Sequence, residues 1–166
     1  MSDSKDEARP AAEEILEAWR TNHRINVLIL EALSPEALRC TLSTRGGRDV
    51  ARQFAHVHNN RVQQLENRRA KALAEGLVRF ESKYSPTAAE LIAAMEDSTE
   101  AVGRFLVELI RDPQAYRGFK KGVFTTLSYL IGHEAHHRGS ILLTLKQSGH
   151  AVPKEVAFGI WDWDRR

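Results

Sequence analysis

The sequence predicts an all-α protein built as a four-helix bundle. Four segments carry apolar residues at helical spacing, glycine and proline turn signals separate them, and alternating strand patterns are scarce. A chain of 166 residues is expected to form a single domain over 1–166 with a sizeable core. Long amphipathic helices in one small domain bury their apolar stripes against one another, which favours a bundle.

The first two predicted helices cover about residues 11–33 and 50–75. The first ends before Pro35, because the residue that precedes a proline disfavours helical backbone angles. Asp49 is expected to cap the second helix and Gly76 to stop it. Their predicted core residues recur every three or four positions: Ile15, Trp19, Ile25, Leu28 and Leu33 in the first helix, and Val50, Phe54, Val57 and Leu65 in the second.

The last two predicted helices cover about residues 86–111 and 124–148. Thr87 opens the third helix, Pro113 stops it, and Gly149 ends the fourth. The core side of the third helix carries Leu91, Met95, Val102, Leu106 and Leu109.

The two ends of the chain differ in composition. Residues 1–9 are polar and charged and are expected to fray. Residues 150–166 contain Trp161 and Trp163, two of the three tryptophans, so this tail is expected to pack against the bundle.

Composition excludes several classes of protein. A net charge of +2 argues against nucleic-acid binding through a broad basic surface. The single cysteine, Cys40, cannot form an intramolecular disulfide and is expected to act as a small buried hydrophobe. The polar segment Met1–Arg9 has no apolar leader, and no run is long and apolar enough to span a membrane. A cytoplasmic protein without membrane contact is therefore expected.

The fourth predicted helix contains a candidate metal site. His133 and His137 are four residues apart, so their imidazoles lie on the same helical face as Leu130 and Ile141. Two imidazoles in this arrangement can bind one ion, and a catalytic zinc site usually has three protein ligands and an open position. The residues alone leave the third ligand undecided. Helix spacing favours His58, His56 points away from the predicted apolar face, and His23 is a weaker candidate; His136 and His150 are expected to be flanking polar residues.

The same segment matches a second metal motif. His133-Glu134-x-x-His137 is the H-E-x-x-H pattern of zinc metalloproteases, in which the glutamate is the general base. The longer metzincin pattern is absent, because Ser140 and Leu143 stand where it needs glycine and histidine. A protease is therefore the weaker alternative. Glu134 can equally support a metal ligand or face solvent on the helix, and ordinary packing or a salt bridge is the simpler explanation for it.

Three segments together resemble a known family. His133–Gly139 followed by Leu145–Gly149, the turn and helix start Gly46–His56, and the tail Phe158–Trp163 are similar to the DinB/YfiT-like superfamily. This resemblance implies a four-helix bundle, usually dimeric, with a divalent metal held by three histidines. Carried onto this sequence, the ligands are His56, His133 and His137, and the ion is expected to be zinc or nickel.

The resemblance implies a site more firmly than a substrate. Some members look like thiol-dependent S-transferases, so one expectation is an enzyme that acts on a small molecule with a low-molecular-weight thiol as partner. The resemblance also implies a homodimer. Activation of water would instead give a small-molecule hydrolase. A stress-related binding module with a structural metal is the non-catalytic alternative. No catalytic residue can be assigned from the sequence.

Overall fold

The computed structural model describes the backbone of residues 4–166 and the side chains of residues 11–166. Within these residues it contains α-helices and short 3₁₀ turns but no β-strand, which confirms the predicted all-α class. The helices are α1 (Ser4–Glu31), α2 (Pro35–Leu38), α3 (Val50–Asn67), α4 (Ala88–Arg111), α5 (Val123–Gln147) and α6 (Lys154–Gly159), with 3₁₀ turns at Lys71–Ala74 and Trp163–Arg165.

The first helix is longer at its beginning than predicted. It starts at Ser4 rather than at residue 11, so Pro10 lies inside it and not in its first turn. A proline inside a helix removes one hydrogen bond and crowds the preceding turn, but Lys5, Glu7, Ala8 and Arg9 before it are good helix formers. The predicted frayed segment, residues 1–9, includes residues 1–3, which lie outside the described residues, and fraying stays a prediction.

The second predicted helix corresponds to α3, which ends earlier than predicted, at Asn67 instead of about residue 75. Its predicted cap is confirmed, because the Asp49 carboxylate accepts a hydrogen bond from the Arg52 amide at 2.8 Å. At the other end, Arg69 adopts a left-handed backbone conformation (φ 64°), and the amide of Ala70 donates to the Leu65 carbonyl at 2.9 Å. This arrangement closes the helix as a glycine would.

The boundaries of α4 and α5 lie close to the predicted ones. Thr87 and Glu90 form a reciprocal capping box at the start of α4. Gly149 (φ 80°) ends α5, and the amide of His150 donates to the Leu145 carbonyl at 2.8 Å. Positive φ is tolerated best by glycine, so this position explains why the helix stops there.

The core consists of two apolar clusters with polar residues between them along the helices. Ile25, Phe54, Met95 and Ile141 belong to the first cluster. Trp19, Leu65, Phe105 and Leu130 belong to the second. On each long helix, buried polar residues fall between these positions. We call them the polar layer: Asn22, Asn26, Arg61, Ser98, Thr99, Glu134 and Arg138.

The C-terminal tail contacts α1 through α6. Val156 is buried, and Gly159 lies close to the Leu28 side chain. Trp161 and Trp163, on which the packing expectation was based, are 80% and 40% exposed, and Phe158 is 73% exposed. The tail therefore packs mainly through smaller apolar residues and not through its tryptophans. None of the described helices combines the length and the apolar composition needed to cross a lipid bilayer.

Candidate metal centre

Three histidines from two helices meet at one point of the structure. His56 of α3 and His133 and His137 of α5 each offer a ring nitrogen, and these atoms lie within 4.8 Å of one another. The ring centroids of His56 and His137 are 4.7 Å apart, as are those of His133 and His137. All three side chains are half-buried. The structure therefore brings together the three residues that the family resemblance indicated.

Helix geometry explains this grouping. His133 and His137 are one turn apart on α5, so their rings share a face. His56 lies at the edge of the apolar face of α3, between the buried residues Ala55 and Val57. A side chain at this edge reaches the cleft between two packed helices, whereas a residue in the middle of the face points into the core. His58, which helix spacing favoured, lies outside this group, and the identity of the third ligand stays a prediction.

His58 is a core residue with its hydrogen bonds satisfied. It is 1% exposed. One ring nitrogen lies 3.2 Å from the Ser98 hydroxyl and the other 3.0 Å from the Val78 carbonyl. The ring also packs edge-on against Phe80, with centroids 5.5 Å apart. Because both nitrogens are engaged, the ring has no lone pair to offer a metal without breaking these contacts.

The remaining histidine candidates lie outside the three-histidine group. His23 is 8% exposed and lines a cavity of about 610 Å³ between α1, α4 and the tail, a cavity that contains none of the three histidines. Its Nδ1 has no hydrogen-bond partner among the described residues. His136 is exposed and its ring packs edge-on against His137, while His150 is exposed after the end of α5.

The electrostatic environment keeps the three grouped imidazoles neutral. Burial lowers the pKa of His56, His133 and His137, and neighbouring positive charge from Arg48 lowers it further for His56 and His137. The pKa of His137 falls from 6.5 to about 4, through burial first and then through the adjacent histidines. Neutral imidazole is the form that ligates a metal, so the donor set fits a divalent transition metal.

Glu134 does not occupy the position of a protease general base. Its carboxylate is 2% exposed and accepts hydrogen bonds from Arg61 at 2.7 and 2.9 Å and from Asn22 and Asn26 at 2.7 Å each. Burial alone would raise the pKa of Glu134, but Arg61 and Arg138 outweigh it and lower that pKa. A carboxylate held in this way is not free to take a proton from a nucleophile. The structure thus argues against the metalloprotease alternative.

Aromatic residues lie beside the histidine group. The Tyr129 ring stacks on the His133 ring with centroids 6.2 Å apart. The Phe119 ring packs against Tyr129 in turn, with centroids 4.9 Å apart. Tyr129 is 40% exposed, so its ring forms part of the accessible surface next to the histidines. Sequence reasoning missed this contact, although Tyr129 precedes His133 by one helical turn. Sequence reasoning also missed the polar layer. Its presence is indicated in the sequence by Asn22, Asn26 and Arg61, which lie on otherwise apolar helix faces.

Comparison with known proteins identifies a family. The model of the DinB family matches residues 1–158. No curated protein and no solved structure matches the chain. The family match covers nearly the whole sequence, including all four long helices and the three grouped histidines. The resemblance noted in the sequence is confirmed, and the chain belongs to the DinB family.

Proposed function

We propose that this protein is a metal-dependent enzyme in which His56, His133 and His137 hold one divalent transition metal, zinc or nickel. The observation that carries the proposal is the convergence of three ring nitrogens within 4.8 Å. Their lowered pKa values support it, because the ligands need no deprotonation at neutral pH. Among the described residues this group has three members and no fourth, which favours an open coordination position over a closed structural site.

The open position suits activation of a small molecule. A divalent ion bound by three neutral imidazoles supplies Lewis acidity, which lowers the pKa of a coordinating thiol or water. Tyr129 and Phe119 offer an apolar wall for a substrate beside His133. Together with family membership, this supports thiol-dependent S-transfer by a low-molecular-weight thiol; activation of water for small-molecule hydrolysis uses the same centre.

The proposal includes a homodimer and a cytoplasmic location. Dimerisation is supported by family membership and by the exposed apolar side chains of Phe158 and Trp161, which a partner subunit could cover. A cytoplasmic location is supported by the single cysteine, Cys40, which leaves no intramolecular disulfide to maintain.

The test begins with metal content. Purified protein is reconstituted with zinc or nickel, dialysed, and analysed for bound metal per chain, and X-ray absorption then gives the number of imidazole and solvent ligands. One ion per chain with three imidazoles and at least one solvent ligand is expected. Assays with thiols and electrophiles then separate transfer from hydrolysis. Protein that holds no metal after reconstitution refutes the proposal, and a fourth protein ligand would make the site structural.

A further inference from the structure

The polar layer connects all four long helices at one level of the bundle. Arg61 of α3 donates two hydrogen bonds to the Glu134 carboxylate of α5, at 2.7 and 2.9 Å. Its third nitrogen donates to the Thr99 hydroxyl of α4 at 2.7 Å. Asn22 and Asn26 of α1 donate to the same carboxylate at 2.7 Å each. Each of these side chains is nearly inaccessible to solvent.

On α5 the polar layer and the histidine group are interleaved. Glu134 directly follows His133, and Arg138 directly follows His137. Arg138 donates to Asn22 at 2.8 Å and its nitrogen lies 3.9 Å from the Glu134 carboxylate. Successive helical residues are about 100° apart around the axis. Holding Glu134 and Arg138 in the core therefore sets the rotation of α5, and with it the direction of both imidazoles.

On α3 the polar layer sets the position along the helix axis. Arg61 follows His56 by five residues, which is about 7.5 Å of helix. A one-residue slide of α3 against α5 displaces its groups by about 1.5 Å. Hydrogen bonds tolerate only a few tenths of an ångström around 2.9 Å, so a two-nitrogen contact cannot survive such a slide. The pairing of Arg61 with Glu134 thus keeps His56 opposite His133 and His137.

Stability alone does not account for this arrangement. Burying an ion pair costs desolvation, and apolar residues of similar volume often stabilise a core equally well or better. The apolar clusters on either side of the layer show that these helices pack well without charges. What apolar contacts lack is a sharp preference for one register, because they have no directional bonds.

We infer that the polar layer positions the metal centre, and that Glu134 acts on it through Arg61 and the rotation of α5, not as a general base. Glu134 and Arg61 are positioning residues in this assignment. The inference rests on the proposed function, since it concerns the site at which the metal binds.

The test compares metal binding in variants that remain folded. Glu134→Gln replaces one carboxylate oxygen with an amide nitrogen, so the two-nitrogen contact with Arg61 is lost. Zinc affinity, measured by competition with a chelator, is expected to fall roughly ten- to a hundred-fold, as when side chains that support metal ligands are removed. The visible absorption bands of the cobalt(II) form, which report coordination geometry, are expected to change as well.

Leu106→Ala is the matched control. Leu106 is fully buried in the second apolar cluster on α4, so its truncation destabilises the bundle and removes no hydrogen-bonding group of the polar layer. Its zinc affinity and cobalt spectrum are expected to equal those of the wild type, measured well below the melting temperature. A loss of affinity in Leu106→Ala as large as in Glu134→Gln would mean that the affinity follows stability alone, and the inference would be overturned.

A double variant separates positioning from stability directly. Arg61→Met combined with Glu134→Leu removes Glu134 together with its closest cation and leaves Arg138 hydrogen-bonded to Asn22 and Asn26. Glu134→Gln alone leaves both guanidinium groups buried without a carboxylate, so the double variant is expected to recover part of the lost stability while zinc affinity stays low. Recovery of both together would overturn the inference. If Glu134→Gln does not fold, Asn26→Ala takes its place, because it removes only one hydrogen bond to Glu134. Its zinc affinity and cobalt spectrum are then compared with those of the wild type.

The outcomes also separate this inference from the proposed function. A wild-type protein that binds no metal refutes the proposed function. A wild-type protein that binds metal, with folded polar-layer variants that bind it equally well and with the same cobalt spectrum, overturns only the positioning role.

Discussion

Two neighbouring histidines of α3 provide the sharpest test of the metal centre, because their substitutions should have opposite effects. We predict that His56→Ala abolishes stoichiometric metal binding but barely changes the stability of the metal-free protein. His58→Ala should do the reverse: it should keep the metal and destabilise the fold. The two residues are two positions apart, so each variant is the control for the other.

The expected magnitudes follow from the surroundings of each ring. His58 is 1% exposed and makes contacts of 3.2 and 3.0 Å through its two nitrogens. Losing two hydrogen bonds worth about 1 kcal/mol each, and leaving a cavity, should cost about 2–4 kcal/mol in the free energy of unfolding. His56 is half-buried. Alanine is a better helix former, so His56→Ala should change the free energy of unfolding by less than about 1 kcal/mol.

Thermal unfolding with and without zinc measures both effects. Zinc at about 100 times its dissociation constant should stabilise the native state by about 2.7 kcal/mol, which raises the melting temperature by about 5–10 °C for a chain of this size. Wild type and His58→Ala should show this shift, and His56→Ala should not. A zinc response lost in His58→Ala and kept in His56→Ala would show that helix spacing identified the ligand and that the observed grouping misled us.

Three further predictions test other parts of the structure. Metal affinity should fall as pH is lowered, but only below pH 6.5, the ordinary pKa of histidine, because burial lowers the pKa of His56, His133 and His137 and each ring must be neutral to bind the ion; loss of metal already near pH 6.5 in a titration with a chelator would contradict this. Arg69→Gly should raise the free energy of unfolding by up to about 1 kcal/mol in urea denaturation, because glycine adopts φ 64° without strain, whereas Arg68→Gly, at φ −107°, should not stabilise. Sedimentation should show a dimer that Trp161→Ser weakens without lowering monomer stability, since that side chain is 80% exposed; a wild-type monomer at micromolar concentration would refute dimerisation.

Local chemistry accounts for what could be predicted about the fold. Asp49, Thr87 and Gly149 marked helix ends correctly, because caps and left-handed turns depend on residues within one turn of each other. The end of α3 was missed because its left-handed residue is Arg69 and not glycine. Burial of Ala70 in the core helps to hold that turn, and this tertiary contact is not visible in the sequence.

The candidate metal site likewise contains residues that could be predicted from the sequence and one that could not. His133 and His137 could be paired from the sequence because one helix determines their spacing. The third histidine of the group could not be identified in this way. His56 and His58 lie on one helix, and only the packing of the neighbouring helices decides which of them faces the cleft. Family resemblance indicated His56 where helix geometry favoured His58, and the structure groups His56 with the other two.

By itself, the sequence determined the helical class, most helix boundaries, the histidine pair on α5 and the family. These follow from interactions between residues a few positions apart, or from motifs within one segment. Only the tertiary structure decided the contacts between distant segments. It buried His58, brought His56 to α5, and joined Glu134 to Arg61 across 73 residues of chain. Such contacts depend on how whole helices pack, because the partner of a side chain is chosen by the shape and polarity of the neighbouring helix and not by its own spacing.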